Sequence, residues 1–211
     1  MKYQVEIERK AIKNMYMRIK DGKIYVTCPF NIPEYEIYRF LDKKKTWINK
    51  VLNRNENESK LIVNTDIYYL GKKYHLIKSS GRNAFKVQGD TIYLSSLNDD
   101  YLKVYYEQNK KVLLNIVYRL QTKYLNILKD YGYIQEPQYH IKYLKSMWGC
   151  CYSLKNTINL SVRLIHFDEK HIEAVLWHEL LHFIIPNHSK RFHEVLSLHF
   201  PDYEKIIKEI R

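Results

Sequence analysis

The chain has 211 residues, enough for one domain or two small ones with a real core. Hydrophobic residues make up 45%, so it should fold; no apolar run reaches membrane-spanning length, and Met1 to Lys10 reads as charged and strand-like, not as a signal peptide. A net charge of +12 favours anionic partners such as nucleotides or nucleic acid, or serves solubility alone, and three cysteines (Cys28, Cys150, Cys151) describe no disulfide framework and fit a reducing cytoplasm.

The first third predicts a small β-rich region followed by a helix. Tyr3 to Lys10 and Met15 to Lys20 alternate with the strand period, Asp21-Gly22 is a hairpin turn, and Lys23 to Cys28 is its partner strand. Pro33 opens a helix running to about Asn53, with Tyr38, Leu41, Trp47, Ile48 and Val51 for its buried side. Asn53 to Lys60 is polar and reads as a loop. Two further strand pairs follow: Ile67 to Leu70 through Gly71 into Tyr74 to Lys78, and Ala84 to Val87 with Thr91 to Leu94 across Gly89-Asp90.

From about Asp99 to Tyr131 the period becomes helical, as one long helix or two in sequence. Val104, Val112, Leu113, Ile116, Val117, Leu120, Tyr124, Leu125 and Leu128 form its buried stripe. Gln138 to Leu144 and Thr157 to Val162 read as strands, with Lys145 to Cys151 between them. A helix from about Glu169 to Ile185 follows, and Ser189 caps a final helix that is interrupted near Pro201. The expected architecture is α+β, with a boundary near residue 96: a β-rich region with one helix over 1–96, and a helical and sheet domain over 97–211.

The segment Trp177 to His188 carries the chemistry. It reads His178-Glu179-Leu180-Leu181-His182, then five residues, then His188. Histidines four apart on a helix share one face, so both imidazoles reach a single ion. A third imidazole leaves one tetrahedral position open, the arrangement of a catalytic zinc. Glu179 follows the first histidine, where it can take a proton from water. Ile172 to Ile185 is otherwise apolar nearly all round, so His178, Glu179 and His182 need partners in the interior, and a metal with water supplies them. Pro186 and Asn187 stop the helix so that His188 can fold back. The alternative is a helix with two satisfied core histidines and an unrelated surface His188. His166, His171, His193 and His199 read as surface or helix-end residues, with His193 close enough in sequence to be an oxyanion candidate. Cys150 and Cys151 read as packing or substrate-loop residues, not as ligands.

These residues, together with Trp148-Gly149, Cys151, Ile158, Leu160, Asn187-His188-Ser189 and Phe192 in that order, resemble the YgjP-like zinc metallopeptidases, which are related to the SprT and WLM proteases. Asp21-Gly22, Ile24-Tyr25-Val26, Pro29, Phe40-Leu41, Trp47-Ile48 and Leu70-Gly71 extend the likeness over nearly the whole chain. The resemblance implies a zincin-like C-terminal domain, zinc on His178, His182 and His188, Glu179 as catalytic base, and a peptide or protein substrate. The family's usual Arg before Trp-Gly is Met147 here, its usual Ser after the pair is Cys150, and a common Asn after the Ile-x-Leu strand is Ser161. Two other functions stay open at this point: a metal-dependent pyrophosphatase acting on nucleoside triphosphates such as UTP, and a nucleic-acid-associated protease of the SprT kind. No Walker loop, magnesium carboxylate cluster or nucleic-acid-binding signature accompanies them. An extended substrate is expected to pair with Thr157 to Val162 as a sheet edge.

Overall fold

The computed structural model describes residues 4–20, 23–49, 52, 62–63 and 65–210. They form two compact units, divided between Leu61 and Ile62. The sequence boundary near residue 96 falls inside the second unit, because the strands after residue 62 share one core with the helices.

In the first unit, β1 (Val5–Lys10), β2 (Tyr16–Lys20) and β3 (Lys23–Pro29) make a sheet of order β1-β3-β2, parallel between β1 and β3 and antiparallel between β2 and β3. β3 is central, and its strict alternation buries Ile24, Val26 and Cys28. Helix α1 (Glu34–Lys43) starts after Pro33, whose extended φ of −63° and ψ of 149° suit a helix entrance. The predicted single helix breaks at Lys44 and resumes as α2 (45–49). Ile37, Leu41 and Ile48 lie on one stripe and are inside, while Tyr38 and Trp47, expected inside, flank that stripe and are exposed. The Asp21-Gly22 turn, Val51 and the loop 53–60 lie outside the described residues.

The second unit opens with β4 (Ile62–Val63), β5 (Asp66–Tyr69), β6 (Lys72–Ser80), β7 (Ala84–Gln88) and β8 (Thr91–Ser96), in the order β4-β5-β6-β8-β7, with β6 and β8 parallel. Leu70 and Gly71 form the β5–β6 turn with φ of 48° and 79°, the left-handed pair that a two-residue hairpin needs. Leu70 is held in that rare conformation by its N–H to the Ile165 carbonyl at 2.7 Å, and the Gly71 N–H reaches the His166 carbonyl at 3.2 Å. A Cβ at residue 71 would sit 2.6 Å from the Asp168 Cβ.

Helix α3 (Tyr101–Asp130) is one unbroken helix, about 45 Å long at the α-helical rise. Asp100 caps it by accepting from the Lys103 N–H. Its buried face includes the predicted Val104, Leu113, Ile116, Val117, Tyr124, Leu125 and Leu128, and also Tyr105, Tyr106, Asn109 and Gln121. A second sheet, order β10-β11-β9, is built from β9 (Gln138–Lys142), β10 (Gly149–Tyr152) and β11 (Thr157–Ser161). β11 is its central strand, parallel to β9 and antiparallel to β10, so the expectation that it forms an edge is wrong. Two strands are not expected from the sequence: the short β4 and β10, a four-residue Gly-Cys-Cys-Tyr segment with no polar alternation. Helices α4 (Glu169–Leu181), α5 (Lys190–His199) and α6 (Tyr203–Glu209) complete the unit. No helix among the described residues is long and apolar enough to cross a membrane.

The tyrosines on α3 explain a buried histidine. His166, expected at the surface, is 1% exposed. Its Nδ1 lies 2.8 Å from the Tyr68 carbonyl and its Nε2 3.0 Å from the Tyr106 hydroxyl, and its ring stacks on Tyr105. One N–H to the carbonyl and one O–H from Tyr106 satisfy a neutral imidazole. Burial depresses its pKa to about 4. The unfolded chain therefore binds one more proton than the folded chain between about pH 6.5 and 4. This contribution to stability is complete above pH 6.5 and is lost as the pH falls, at up to roughly 1.4 kcal/mol per pH unit. Denaturant unfolding of the wild type and His166→Gln across this range should show a pH slope smaller in the variant by up to one proton. Equal slopes would mean that His166 is not the buried neutral group described.

Candidate metal centre

α4 is buried nearly all round, from Ile172 through Leu181. Asp168 caps it by accepting from the Lys170 and His171 N–H groups. Trp177 stacks on Tyr124 at 4.7 Å and donates its indole N–H to the Leu196 carbonyl, which ties α4 to α3 and α5. The helix is one turn shorter than predicted. It ends at Leu181, His182 is its cap in right-handed conformation, and the N–H groups of Phe183 and Ile184 tighten onto Leu180 and Leu181. Pro186 then turns the chain, and Ser189 caps α5 by accepting from the Phe192 N–H.

This turn brings His188 back over the helix. His178, His182 and His188 each offer one ligand atom, and these atoms lie within 4.8 Å of one another. The ring centroids are 4.8 to 5.0 Å apart. Phe192 is fully buried and stands 4.9 to 5.0 Å from all three rings, an apolar wall behind the donors. His178 and His182 are half-buried and His188 is exposed, so the cluster opens to solvent on the His188 side.

The outer nitrogens decide which atoms converge. His182 Nδ1 donates to the Ile185 carbonyl at 3.1 Å, leaving Nε2 as a lone-pair donor. His178 Nδ1 is 2.7 Å from the Tyr203 hydroxyl, and its Nε2 faces His188 Nε2 at 3.0 Å. Burial lowers the His182 pKa, favouring the neutral form that can bind a metal. Two nitrogens on one tetrahedral ion at about 2.1 Å stand roughly 3.4 Å apart. Two imidazoles with engaged outer nitrogens and a third folded back onto them therefore fit a borderline divalent ion such as zinc. This is the one such group of three or more His, Cys, Asp or Glu found among the described residues.

Glu179, the next residue on α4, lies about 100° round the helix from His178 and packs against Gly149 of β10. It is 7% exposed, and burial raises its carboxyl to about 7 against the opposing pull of a Cys151 backbone N–H bond. Gly149 makes this possible: a Cβ there would lie 2.6 Å from the Glu179 Cγ and Oε1 and 2.8 Å from its Cδ. β10 is thus the strand beside the carboxylate, and its outer edge carries the Cys151 N–H. The Cys151 thiol is pushed up to about 12, by burial first and then by Glu179 and Cys150, so it is neither thiolate nor nucleophile.

Of the other histidines, His193 is nearest, its ring 6.5 Å from that of His188. His193 is exposed on α5, 4.0 Å from Glu204. His199 meets Trp177 edge-on. His171 is buried in the first turn of α4, between Asp168 at 2.7 Å and Glu209 at 2.9 Å. The altered loop is held from beneath: Arg163, 3% exposed, reaches the Leu144 and Lys145 carbonyls at 3.3 Å and lies over the Trp148 ring. Met147 itself is exposed. Sequence reasoning missed Tyr203 and the steric role of Gly149. Tyr203 is one of 20 tyrosines with no motif around it; the signal for Gly149 was the scarcity of glycine, 6 in the chain.

Residues 13–211 match the YgjP-like metallopeptidase domain. Comparison with curated proteins finds no match. Among solved structures, the metallopeptidase zymogen jannalysin of Methanocaldococcus jannaschii is similar at 27% identity, over 48% of this chain and 89% of that one, with a TM-score of 0.39. With nearly its whole length matched, the chain belongs to the YgjP-like metallopeptidase family, and is a hydrolase.

Proposed function

We propose that the chain is a zinc-dependent peptidase with His178, His182 and His188 as ligands and Glu179 as general base. The observation that carries this reading is the convergence of three imidazoles, two of them with their outer nitrogens engaged, on a helix that also carries the buried carboxyl of Glu179. Bound there, zinc would polarise a scissile carbonyl and make water acidic near neutral pH. Glu179 accepts the proton of the attacking water on a carboxylate oxygen and passes it to the leaving nitrogen. Cys151 holds the carboxylate from β10 through its backbone N–H. An extended peptide adds to the outer edge of β10, in place of the central β11, through backbone hydrogen bonds. The three free thiols suit a reducing compartment such as the cytoplasm.

The all-imidazole donor set favours this reading over magnesium-dependent cleavage of nucleoside triphosphates, which draws on carboxylates. Chelation should abolish hydrolysis of an unstructured protein substrate, and zinc should restore it. The reading would be wrong if the metal-loaded protein left peptides intact while cleaving UTP. Protease activity that appeared only with duplex DNA present would place the substrate on nucleic acid.

Glu179→Gln should keep stoichiometric zinc and lose about 10²–10⁴-fold in kcat. Full activity in this variant would remove Glu179 from the mechanism. Gly149→Ala should also keep zinc but lower kcat/KM by roughly 10–100-fold, because its methyl group displaces the carboxylate. Wild-type kinetics for Gly149→Ala would show that the carboxylate does not act from this position.

A further inference from the structure

We propose that Tyr203, at the start of the C-terminal helix α6, is a positioning residue: it accepts the His178 Nδ1 proton and so presents Nε2 to the metal. The inference rests on the reading of His178 as a ligand. The Tyr203 hydroxyl is 2.7 Å from His178 Nδ1, and the rings lie nearly parallel, at 14° with centroids 5.8 Å apart. Tyr203 is 3% exposed, so the contact is made inside the protein. A neutral imidazole carries one proton, and an Nε2 lone pair committed to a metal requires that proton on Nδ1. An oxygen placed there selects the tautomer and fixes the ring plane, as outer partners of metal-bound histidines do.

The two helix histidines obtain these partners differently. His182 uses the carbonyl of Ile185, delivered by the same turn that ends α4. His178 sits higher in the helix, where local carbonyls are taken by the helix itself, so its acceptor comes from 25 residues downstream. α6 is fixed for this task at its far end. The Trp148 indole donates to the Ile210 carbonyl at 2.9 Å, Glu209 meets His171 at 2.9 Å, and Ile206, Ile207 and Ile210 are buried. The same geometry separates Tyr203 from the reacting atoms. Its hydroxyl meets Nδ1, the ring nitrogen other than the one turned toward His188.

The test measures zinc affinity of the full chain by chelator competition in wild type, Tyr203→Phe and His178→Ala. It also measures the ¹⁵N shifts of the His178 ring in zinc-loaded wild type. The expected result is about 10–100-fold weaker zinc binding in Tyr203→Phe, with an unchanged melting temperature of the zinc-free protein. Binding should be lost altogether in His178→Ala, and the wild-type ring should carry its proton on Nδ1. Wild-type affinity in Tyr203→Phe alongside loss in His178→Ala would overturn the role of Tyr203 and leave the zinc site standing. Full affinity in His178→Ala would instead overturn the ligand assignment. Should the phenylalanine variant fail to fold, the wild-type spectrum still decides: metal on Nδ1 of His178 refutes the proposal.

Discussion

Burying a polar side chain without a partner costs several kcal/mol on apolar transfer scales, and α4 buries nearly its whole circumference. Everything around that helix follows from the need to answer its polar residues. Asp168 and Glu209 answer His171, Tyr203 and Ile185 answer the outer nitrogens of His178 and His182, and β10 answers Glu179. The apolar remainder packs against α3, α5, α6 and the sheet of β9, β10 and β11. The reactive face and the structural face are therefore not separate regions. The helix that sets the core also sets the donors, so local precision comes from global packing.

Parts of this arrangement were legible because they are local. The His-Glu-x-x-His spacing, the breaker Pro186-Asn187 and the Ser189 cap depend on residues within one or two turns. The long apolar stripe of α3 also declares itself by its period. What was not legible depends on contacts distant in sequence. β10 exists because it pairs with β11 five to eleven residues later, not because Gly-Cys-Cys-Tyr favours a strand. His166 looks like a surface residue until Tyr68 and Tyr106 close over it. Tyr203 gains its role only when α6 folds onto α4. Tyr38 and Trp47 are apolar but flank the narrow stripe of Ile37, Leu41 and Ile48, which composition alone does not separate.

The tyrosine-rich composition also takes on a more definite meaning. Tyr105, Tyr106 and Tyr124 are buried along one helix, and each hydroxyl has a polar partner: the Tyr68 carbonyl, His166 and Glu173. Tyrosine fills volume like phenylalanine while supplying a directional polar end. That combination specifies which strand and which turn lie over α3. By contrast, ion pairs such as Lys110–Glu107 are solvent-exposed and contribute little.

Two glycines act on α4 from opposite ends. Gly71 leaves room for Asp168 at the amino-terminal cap, and Gly149 leaves room for Glu179 eleven residues on, about 16 Å along the axis. Each is a missing side chain into which the helix fits. Together they work like two notches on a rail, setting the axial position of α4 against both sheets. A side chain at either glycine would press directly on the helix. Changes in the β5–β6 turn, remote from the histidines in sequence, are therefore changes in the alignment of the carboxylate.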